Sequence, residues 1–269
     1  MALLLIDLSY LVIHRFYATR AWERHNGVAV ADEVLLHHFD RTFCESLDRL
    51  CVSNGIDPVN VVFAKDCPRD KVWRRAVFPP YKASRDRSRL ADNDDEAIES
   101  AFSRVLDDLI PSWRGGAAHV IAADRAEADD IFAVLSRCDR LRGWDKVIVT
   151  GDSDMLQLCD SSTRVVDAYN KRSEIRLGQL SPREFLTVKI IRGDKSDNVP
   201  RVFRRCGVSV AERLACNPDM LKRELSTDDA YKRNFALNDM LINLDNVPPS
   251  IRDAVDNIVA SIGFDFLKN

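Results

Sequence analysis

Apolar positions along the chain fall into two alternating rhythms. Ala2-Leu-Leu-Leu-Ile6 is an unbroken apolar run closed by Asp7, the pattern of a parallel strand buried on both faces. From Asp32 to Leu50 the period becomes helical, with Val34, Leu35, Phe39, Phe43, Leu47 and Leu50 on a common face. Val59 to Phe63 reads as a second strand, ending just before Asp66. Turn signals at Pro68 and Pro79-Pro80 and a polar composition through Asp95 predict an arched or mobile segment near 67–95. Helical periodicity resumes from Glu96 to Ile110, with Pro111 closing it.

The second half repeats the alternation. His119 to Ala122 is a short strand, and Glu127 to Leu141 a helix opened by acids, which suits the positive end of a helix dipole. Lys146 to Thr150 is the clearest internal strand, with Gly151-Asp152 marking the turn after it, and Arg164 to Asp167 is a further strand. After Ser181-Pro182, an N-cap and first turn, the chain reads as helical to its end. This order predicts an α/β fold with a mainly parallel central sheet flanked by helices. It places a catalytic core at 1–180 and a helical C-terminal subdomain at 181–269.

In open α/β sheets ligands bind outside the carboxyl ends of the strands. Asp7 and Asp152 follow directly on their strands, Asp66 comes a few residues after its strand, and Glu127 follows a short loop. One acid after a strand is an ordinary helix cap; several from distant parts of the chain at one edge are not. The acids come in close sets, Glu127-Ala-Asp129-Asp130, Asp152-Ser-Asp154 and Asp194-Lys-Ser-Asp197, with no cysteine or histidine among them. Gathered carboxylates raise one another's pKa, so a stable cluster implies a counter-cation. Hard oxygen ligands suit Mg²⁺ or Mn²⁺ rather than Zn²⁺. Two such ions can clamp the attacking and leaving oxygens of a phosphodiester displacement.

Bulk properties narrow the substrate. A length of 269 residues with 46% hydrophobic content allows one large α/β domain, or a domain with a smaller appendage. The net charge of −3 conceals a segregation: Lys65 to Arg89 carries nine basic residues against three acids, and Arg201 to Arg213 carries Arg201, Arg204, Arg205 and Arg213 against Glu212 alone. Basic flanks beside an acidic centre fit a polyanion, although each run taken alone reads as a solvated helix face. Seven scattered cysteines without a C-x-x-C pair suit a reduced intracellular protein. No signal peptide or spanning segment is apparent, so a soluble, cytosolic protein with no membrane contact is expected.

Six motifs stand in order: Ile6-Asp7; Asp66 with Trp73-Arg74-Arg75; Tyr81-Lys82-Ala-Ser-Arg85; Glu127-Ala-Asp129-Asp130; Gly151-Asp152-Ser-Asp154; and Gly193-Asp194-Lys-Ser-Asp197-Asn198. With them the chain resembles, over nearly its whole length, the 5′-nuclease superfamily of flap endonucleases and the 5′-to-3′ exonuclease domains of bacterial DNA polymerases. Within that superfamily it is most similar to the RNase H of T-even bacteriophages. The resemblance implies a PIN-like core, a helical arch, and a helix–turn–helix-like element in the C-terminal part. It implies two Mg²⁺ (or Mn²⁺) ions, the first held by Asp7, Asp66, Glu127 and Asp129, the second faced by Asp152, Asp154, Asp194 and Asp197. Asp129 would bridge and Asp130 act through water. Lys82 and Arg85 would be the catalytic basic pair of the arch, offsetting charge at the phosphate. Tyr81 would stack on a terminal base or be an ordinary half-buried aromatic. Arg74 and Arg75 would contact phosphate or solvate a helix beside Trp73. Arg201, Arg204 and Arg205 would grip the duplex backbone.

Three departures qualify the likeness. The segment Asn198 to Ser209 keeps one glycine, Gly207, where the family has a glycine-rich hairpin, which weakens the case for a monovalent cation there. The start reads Asp7-Leu-Ser-Tyr10 where many members have Asp-Gly-Ser, and an earlier end than in the phage relative predicts a missing C-terminal interaction segment. The function implied is that of a monomeric, structure-specific 5′ nuclease acting on DNA and RNA–DNA hybrid with 5′ ends or flaps. RNA-primer removal in replication would be its role, with a single-strand-binding protein or replication polymerase as partner, in the host cytoplasm if the source is a phage. A PIN-like endoribonuclease shares the sheet and some acids but lacks the basic arch. A non-catalytic nucleic-acid clamp would have lost metal acids, and none is lost.

Overall fold

The computed structural model describes residues 1–26, 32–84 and 95–262. Five strands, β1 (Ala2–Asp7), β2 (Val61–Ala64), β3 (His119–Ile121), β4 (Asp145–Val149) and β5 (Thr163–Val166), form one sheet in the order β3-β2-β1-β4-β5. All four pairings are parallel, and in the centre Leu5 pairs with both Val62 and Ile148. Leu3, Leu4, Leu5 and Ile6 are fully buried because helices cover both faces. Alternate side chains then enter different cores: Leu3 and Leu5 join one, Leu4 and Ile6 the other.

The second of these cores is closed by α1 (Leu8–His25), α2 (Asp32–Asn54) and α4 (Asp95–Arg104). The sequence pattern assigns no element to α1, because its buried stripe of Leu8, Leu11, Val12 and Phe16 runs on into Thr19 and Glu23. Both polar groups are satisfied across the helix pair, Thr19 by Thr42 at 2.9 Å and Glu23 by His38 at 2.8 Å. Pro111 does not close α4 as its position suggests. A π turn over Val105–Leu109 precedes it, and the helix runs on to Ser112. Such a turn is one way a helix accommodates a residue that cannot donate to the ladder.

On the other face, α5 (Ala128–Arg137) packs through Ile131, Phe132 and Leu135. A capping box between Glu127 and Asp130 starts it. The short α3 (Trp73–Val77) lies between β2 and α4. Beyond residue 181 come α6 (Pro182–Arg192), α7 (Val208–Ala215), α8 (Pro218–Ser226), α9 (Asp229–Ile242) and α10 (Pro249–Ile262). Val188, Ile191, Phe203, Leu214 and Leu221 give the first of these helices a small core of their own. The last helix returns: Ile251, Val255 and Val259 of α10 pack into the sheet core with α5. A division near residue 180 therefore does not separate two cores. Among the described residues no helix is long and apolar enough to cross a membrane.

Candidate metal and nucleic-acid site

The sheet delivers acids to its carboxyl edge, as the alternation of elements implies. Asp7 is the last residue of β1 and caps α1, taking the Tyr10 amide on Oδ1 and the Thr150 hydroxyl on Oδ2, each at 2.9 Å. Thr150 follows β4, so the two central strands meet at this carboxylate. Asp66, two residues past β2, takes the Ser9 hydroxyl at 2.7 Å and the Ala128 amide at 2.8 Å, tying β2 to α1 and α5. Asp129 stands in the first turn of α5, and Asp152 in the turn after β4, where it takes the Asp154 amide at 2.8 Å.

These acids are not neutralised by the chain. Burial, then the charge of Asp66, pushes Asp7 up to about 7 against the opposing Tyr10 and Thr150 hydrogen bonds. Asp129 lies well above the ordinary carboxylate range, from burial first and the Asp152 charge next. Burial and Asp152 push Asp154 up to about 6, with Lys189 opposing. Like-charge crowding of buried carboxylates is the condition that a bound cation relieves.

A second group of acids is compensated from within. Arg74 is 2% exposed and forks onto Asp130, 2.8 Å to Oδ1 and 3.0 Å to Oδ2, while also reaching Glu127 Oε2 at 2.8 Å. The Trp73 indole at 3.0 Å and the Glu127 amide at 2.9 Å complete the shell around Asp130. Tyr81 donates its hydroxyl to Glu127 Oε2 at 3.2 Å, and Lys82 Nζ lies 2.5 Å from Oε1. Lys82 and Arg74 hold Glu127 below its usual value despite its burial. Lys82 sits in the left-handed region at φ 55°, fixed by the hydrogen bond its backbone amide donates to the Asp197 carbonyl, and its ammonium is 3.9 Å from Asp197 Oδ2. Holding a non-glycine residue there costs energy that the surrounding contacts must offset.

Lys189 closes the far side, 2.7 Å from Asp154 Oδ1 and 3.4 Å from Asp194 Oδ2. Asp194 also takes the Ser196 amide and hydroxyl at 2.7 and 2.6 Å. It opens a hairpin in which its backbone pairs with Val199. Gly193 before it has φ 62°, and a Cβ there would stand 2.2 Å from the Pro200 carbonyl, so only glycine fits. Asp129, Asp154, Asp194 and Asp197, with Arg74 and Tyr81, line a cavity of about 20 Å³, close to the space of one water.

Three expectations change. Arg74 neither meets solvent nor reaches phosphate; it is the buried counter-charge of Glu127 and Asp130. Asp130 is fully buried with both oxygens bonded, which leaves no face for a water bridge. Tyr81 is 5% exposed, so its ring offers no stacking surface and is more than half-buried. Glu127, expected on the first ion, meets Lys82, Arg74 and Tyr81 on its two oxygens, as Asp154 meets Lys189. Arg75 is half-buried, and Arg201, Arg204 and Arg205 are exposed on the connection between α6 and α7. Residues 85–94 of the arch segment, Arg85 among them, lie outside the described residues. Sequence reasoning missed Lys189, Ser9 and Thr150. Lys189 looks like any basic residue near a helix C-terminus, and only the fold brings it to Asp154.

Among the described residues no three histidine, cysteine, aspartate or glutamate side chains form a ready-made metal cage. A family model described as 5′-3′ exonuclease, N-terminal resolvase-like domain, matches residues 2–185. DNA polymerase I of Streptococcus pneumoniae serotype 4 is 30% identical over 213 residues, which are 75% of this chain and 22% of that protein. The chain thus spans a minor part of the polymerase relatives it matches. Ribonuclease H of Enterobacteria phage T4 is 26% identical over 214 residues, 73% of this chain and 68% of that protein. Two solved structures share the fold. The T5 D15 protein co-crystallised with metal ions has a TM-score of 0.72 at 15% identity, over 98% of this chain and 100% of that one. The bacteriophage T5 D15 flap endonuclease in a pseudo-enzyme-product complex with DNA and metal ions has a TM-score of 0.71 at 16% identity, over 97% and 99%. The family match runs through every acid from Asp7 to Asp154, and the chain belongs to the 5′-3′ exonuclease family with the N-terminal resolvase-like domain.

Proposed function

We propose that the chain is a divalent-metal-dependent, structure-specific 5′ nuclease that hydrolyses phosphodiesters of duplex DNA or RNA–DNA hybrid from 5′ ends and cuts 5′ flaps. One observation carries the reading: Asp7, Asp66, Asp129 and Asp152 crowd at the sheet's carboxyl edge, where burial and neighbouring carboxylates drive the pKa values of Asp7 and Asp129 up. The donor set is wholly carboxylate, which fits a hard, partly hydrated ion such as Mg²⁺ or Mn²⁺. Asp7, Asp66, Asp129 and Asp152 would hold one ion. A second would face Asp154, Asp194 and Asp197, where Lys189 and Lys82 now supply the positive charge. Such ions activate water and stabilise charge on phosphate oxygens.

The chain's own cations have a consistent part in this reading. Lys82 and Lys189 carry ammonium groups at two sides of the acid group, where a phosphodiester's negative charge would meet them. Exposed Arg201, Arg204 and Arg205 suit contacts to a duplex backbone, which confer affinity without sequence preference. RNA-primer removal is the role that fits relatives named ribonuclease H and DNA polymerase I.

The test is cleavage of 5′-labelled flap and nicked-hybrid substrates in Mg²⁺ and in EDTA, with products read at nucleotide resolution. Metal-dependent products released from the 5′ side support the reading. Binding without cutting points to a clamp, and preferential cutting of single-stranded RNA points to an endoribonuclease.

A further inference from the structure

The β5 end of the sheet carries a surface that the acid site does not use. After β5 the chain makes a tight turn in which Asp167 Oδ1 takes the amides of Tyr169 and Lys171, each at 2.9 Å. The Asp167 amide bonds the Lys171 carbonyl at 3.0 Å, and Val166 bridges to Arg172. Asn170, at φ 61°, accepts a hydrogen bond from Asn54 of α2 at 3.0 Å. A turn anchored at this many points is rigid, yet it leaves Tyr169 56% exposed. A large aromatic side chain held in place at the surface is a preformed contact with little conformational entropy left to lose.

This tyrosine is connected to the acid site by packed rings. Its ring meets His14 edge-on, with centroids 5.1 Å apart and planes at 79°. His14 lies 5.6 Å from Tyr10, whose hydroxyl accepts the Ala168 amide at 3.1 Å. The Tyr10 ring fills the space beside Gly151, where a Cβ would come within 2.6 Å of it. Gly151 immediately precedes Asp152. Arg176 donates to the Gly151 carbonyl at 3.4 Å, so a basic side chain also borders this point.

The charge around Tyr169 is one-sided. Between Arg164 and Arg176 the bases are Arg164, Lys171, Arg172 and Arg176, and the acids are Asp167 and Glu174. Both acids accept backbone amides, Asp167 as above and Glu174 from Val165 at 3.2 Å. Lys171 Nζ stands 5.9 Å over the Tyr169 ring. An aromatic ring with a basic rim matches a nucleobase flanked by phosphates. An apolar protein partner would call for a broader hydrophobic face.

We propose that Tyr169, with Lys171 and Arg176 at its rim, is a stacking platform for the base at the end of a duplex arm adjoining the cut. It would lie at the β5 end of the sheet edge. The platform would let the enzyme sense whether duplex continues past the cleavage point. This rests on the 5′-nuclease reading.

The experiment uses a 5′-flap duplex with 2-aminopurine as the terminal base of the arm next to the cut, bound in Ca²⁺ to hold turnover down. Wild-type protein should quench the probe. Tyr169→Ala should abolish the quench and weaken binding by roughly fivefold to a hundredfold, the range for one stacked base. Tyr169→Trp should restore both. Lys171→Gln with Arg176→Gln should lower the salt dependence of binding by about one to two counterions. Circular dichroism melting of each variant confirms the fold, which the exposed position of Tyr169 leaves untouched. If Tyr169→Ala quenches and binds within twofold of wild type while wild type cuts flaps in Mg²⁺, the platform is wrong and the nuclease reading stands. If wild type neither binds nor cuts any 5′-ended substrate, the nuclease reading fails and takes the platform with it.

Discussion

Two groups of acids lie side by side in this fold and are treated oppositely. Glu127 and Asp130 receive Arg74, Lys82, Tyr81 and Trp73, so nearly every oxygen is matched by a donor. Asp7, Asp129 and Asp152 receive a few neutral hydrogen bonds at most, and burial with neighbouring charge drives Asp7 and Asp129 up. A chain that neutralises one carboxylate group and leaves its neighbour crowded separates two tasks. The first group fixes the short α3 and the segment through Lys82 onto the core. The second is built at a cost to stability, and such local conflicts mark functional sites.

The comparison breaks most visibly when a compensated acid loses its cation. Arg74→Met leaves Glu127 and Asp130 buried without their guanidinium and should destabilise the protein by about 3–5 kcal/mol, read as a large fall in denaturation midpoint. A loss below about 1 kcal/mol would mean the network is not holding α3 in place. At Asp152 the expected outcome is reversed. Asp152→Asn should cut flap cleavage by at least about a hundredfold, with duplex binding and melting temperature kept or raised. Full activity would remove Asp152 from the metal set.

Acidity sharpens the contrast because Asp7 and Glu127, one from each group, have opposite slopes. Between the unfolded value of 3.8 and a folded value of about 7, Asp7 binds more protons in the native state than in the unfolded chain. Metal-free protein should therefore lose stability as pH rises through that window, on the order of a few kcal/mol at most. Glu127 is held below 4.5. Its contribution is present above that value and is lost as pH falls through its folded pKa. Denaturant midpoints measured in EDTA from pH 4 to 8, and repeated with Mg²⁺, should show a fall with pH that Mg²⁺ largely removes. A flat profile in EDTA would contradict the crowding. The smallest effect is expected at Lys189. Lys189→Met should tighten binding of the second divalent ion by several-fold, because the ammonium no longer competes for Asp154 and Asp194. Unchanged affinity would show that Lys189 does not stand in for that ion.

How much of this was legible in the sequence follows from the same division. Asp7 and Asp152 were visible because each follows an apolar run, and a parallel sheet must bring such ends to one edge, while Asp129 was visible as one of a close set of acids opening a helix. The compensated network was not. Arg74 beside Arg75 has the look of a solvated basic face, and nothing local announces that one guanidinium turns inward to Asp130, 56 residues away. Tyr81 departs from both readings of its motif, a stacking ring or a half-buried aromatic, for the same reason: its hydroxyl is committed inward to Glu127. The helix after β1 escaped notice because Thr19 and Glu23 interrupt its apolar stripe. The return of α10 to the sheet core was hidden because periodicity identifies an apolar face without naming the surface that covers it.

The central claim is that Asp7, Asp129 and Asp152 are crowded in order to receive a divalent cation. Calorimetric titration of Mn²⁺ into the metal-free protein, in buffers of different ionisation enthalpy at pH 6.5 and pH 8, tests it most directly. Binding should displace protons from the raised carboxylates at pH 6.5, release fewer at pH 8, and be lost in Asp129→Asn. No saturable binding, or binding that Asp129→Asn leaves unchanged, would contradict it.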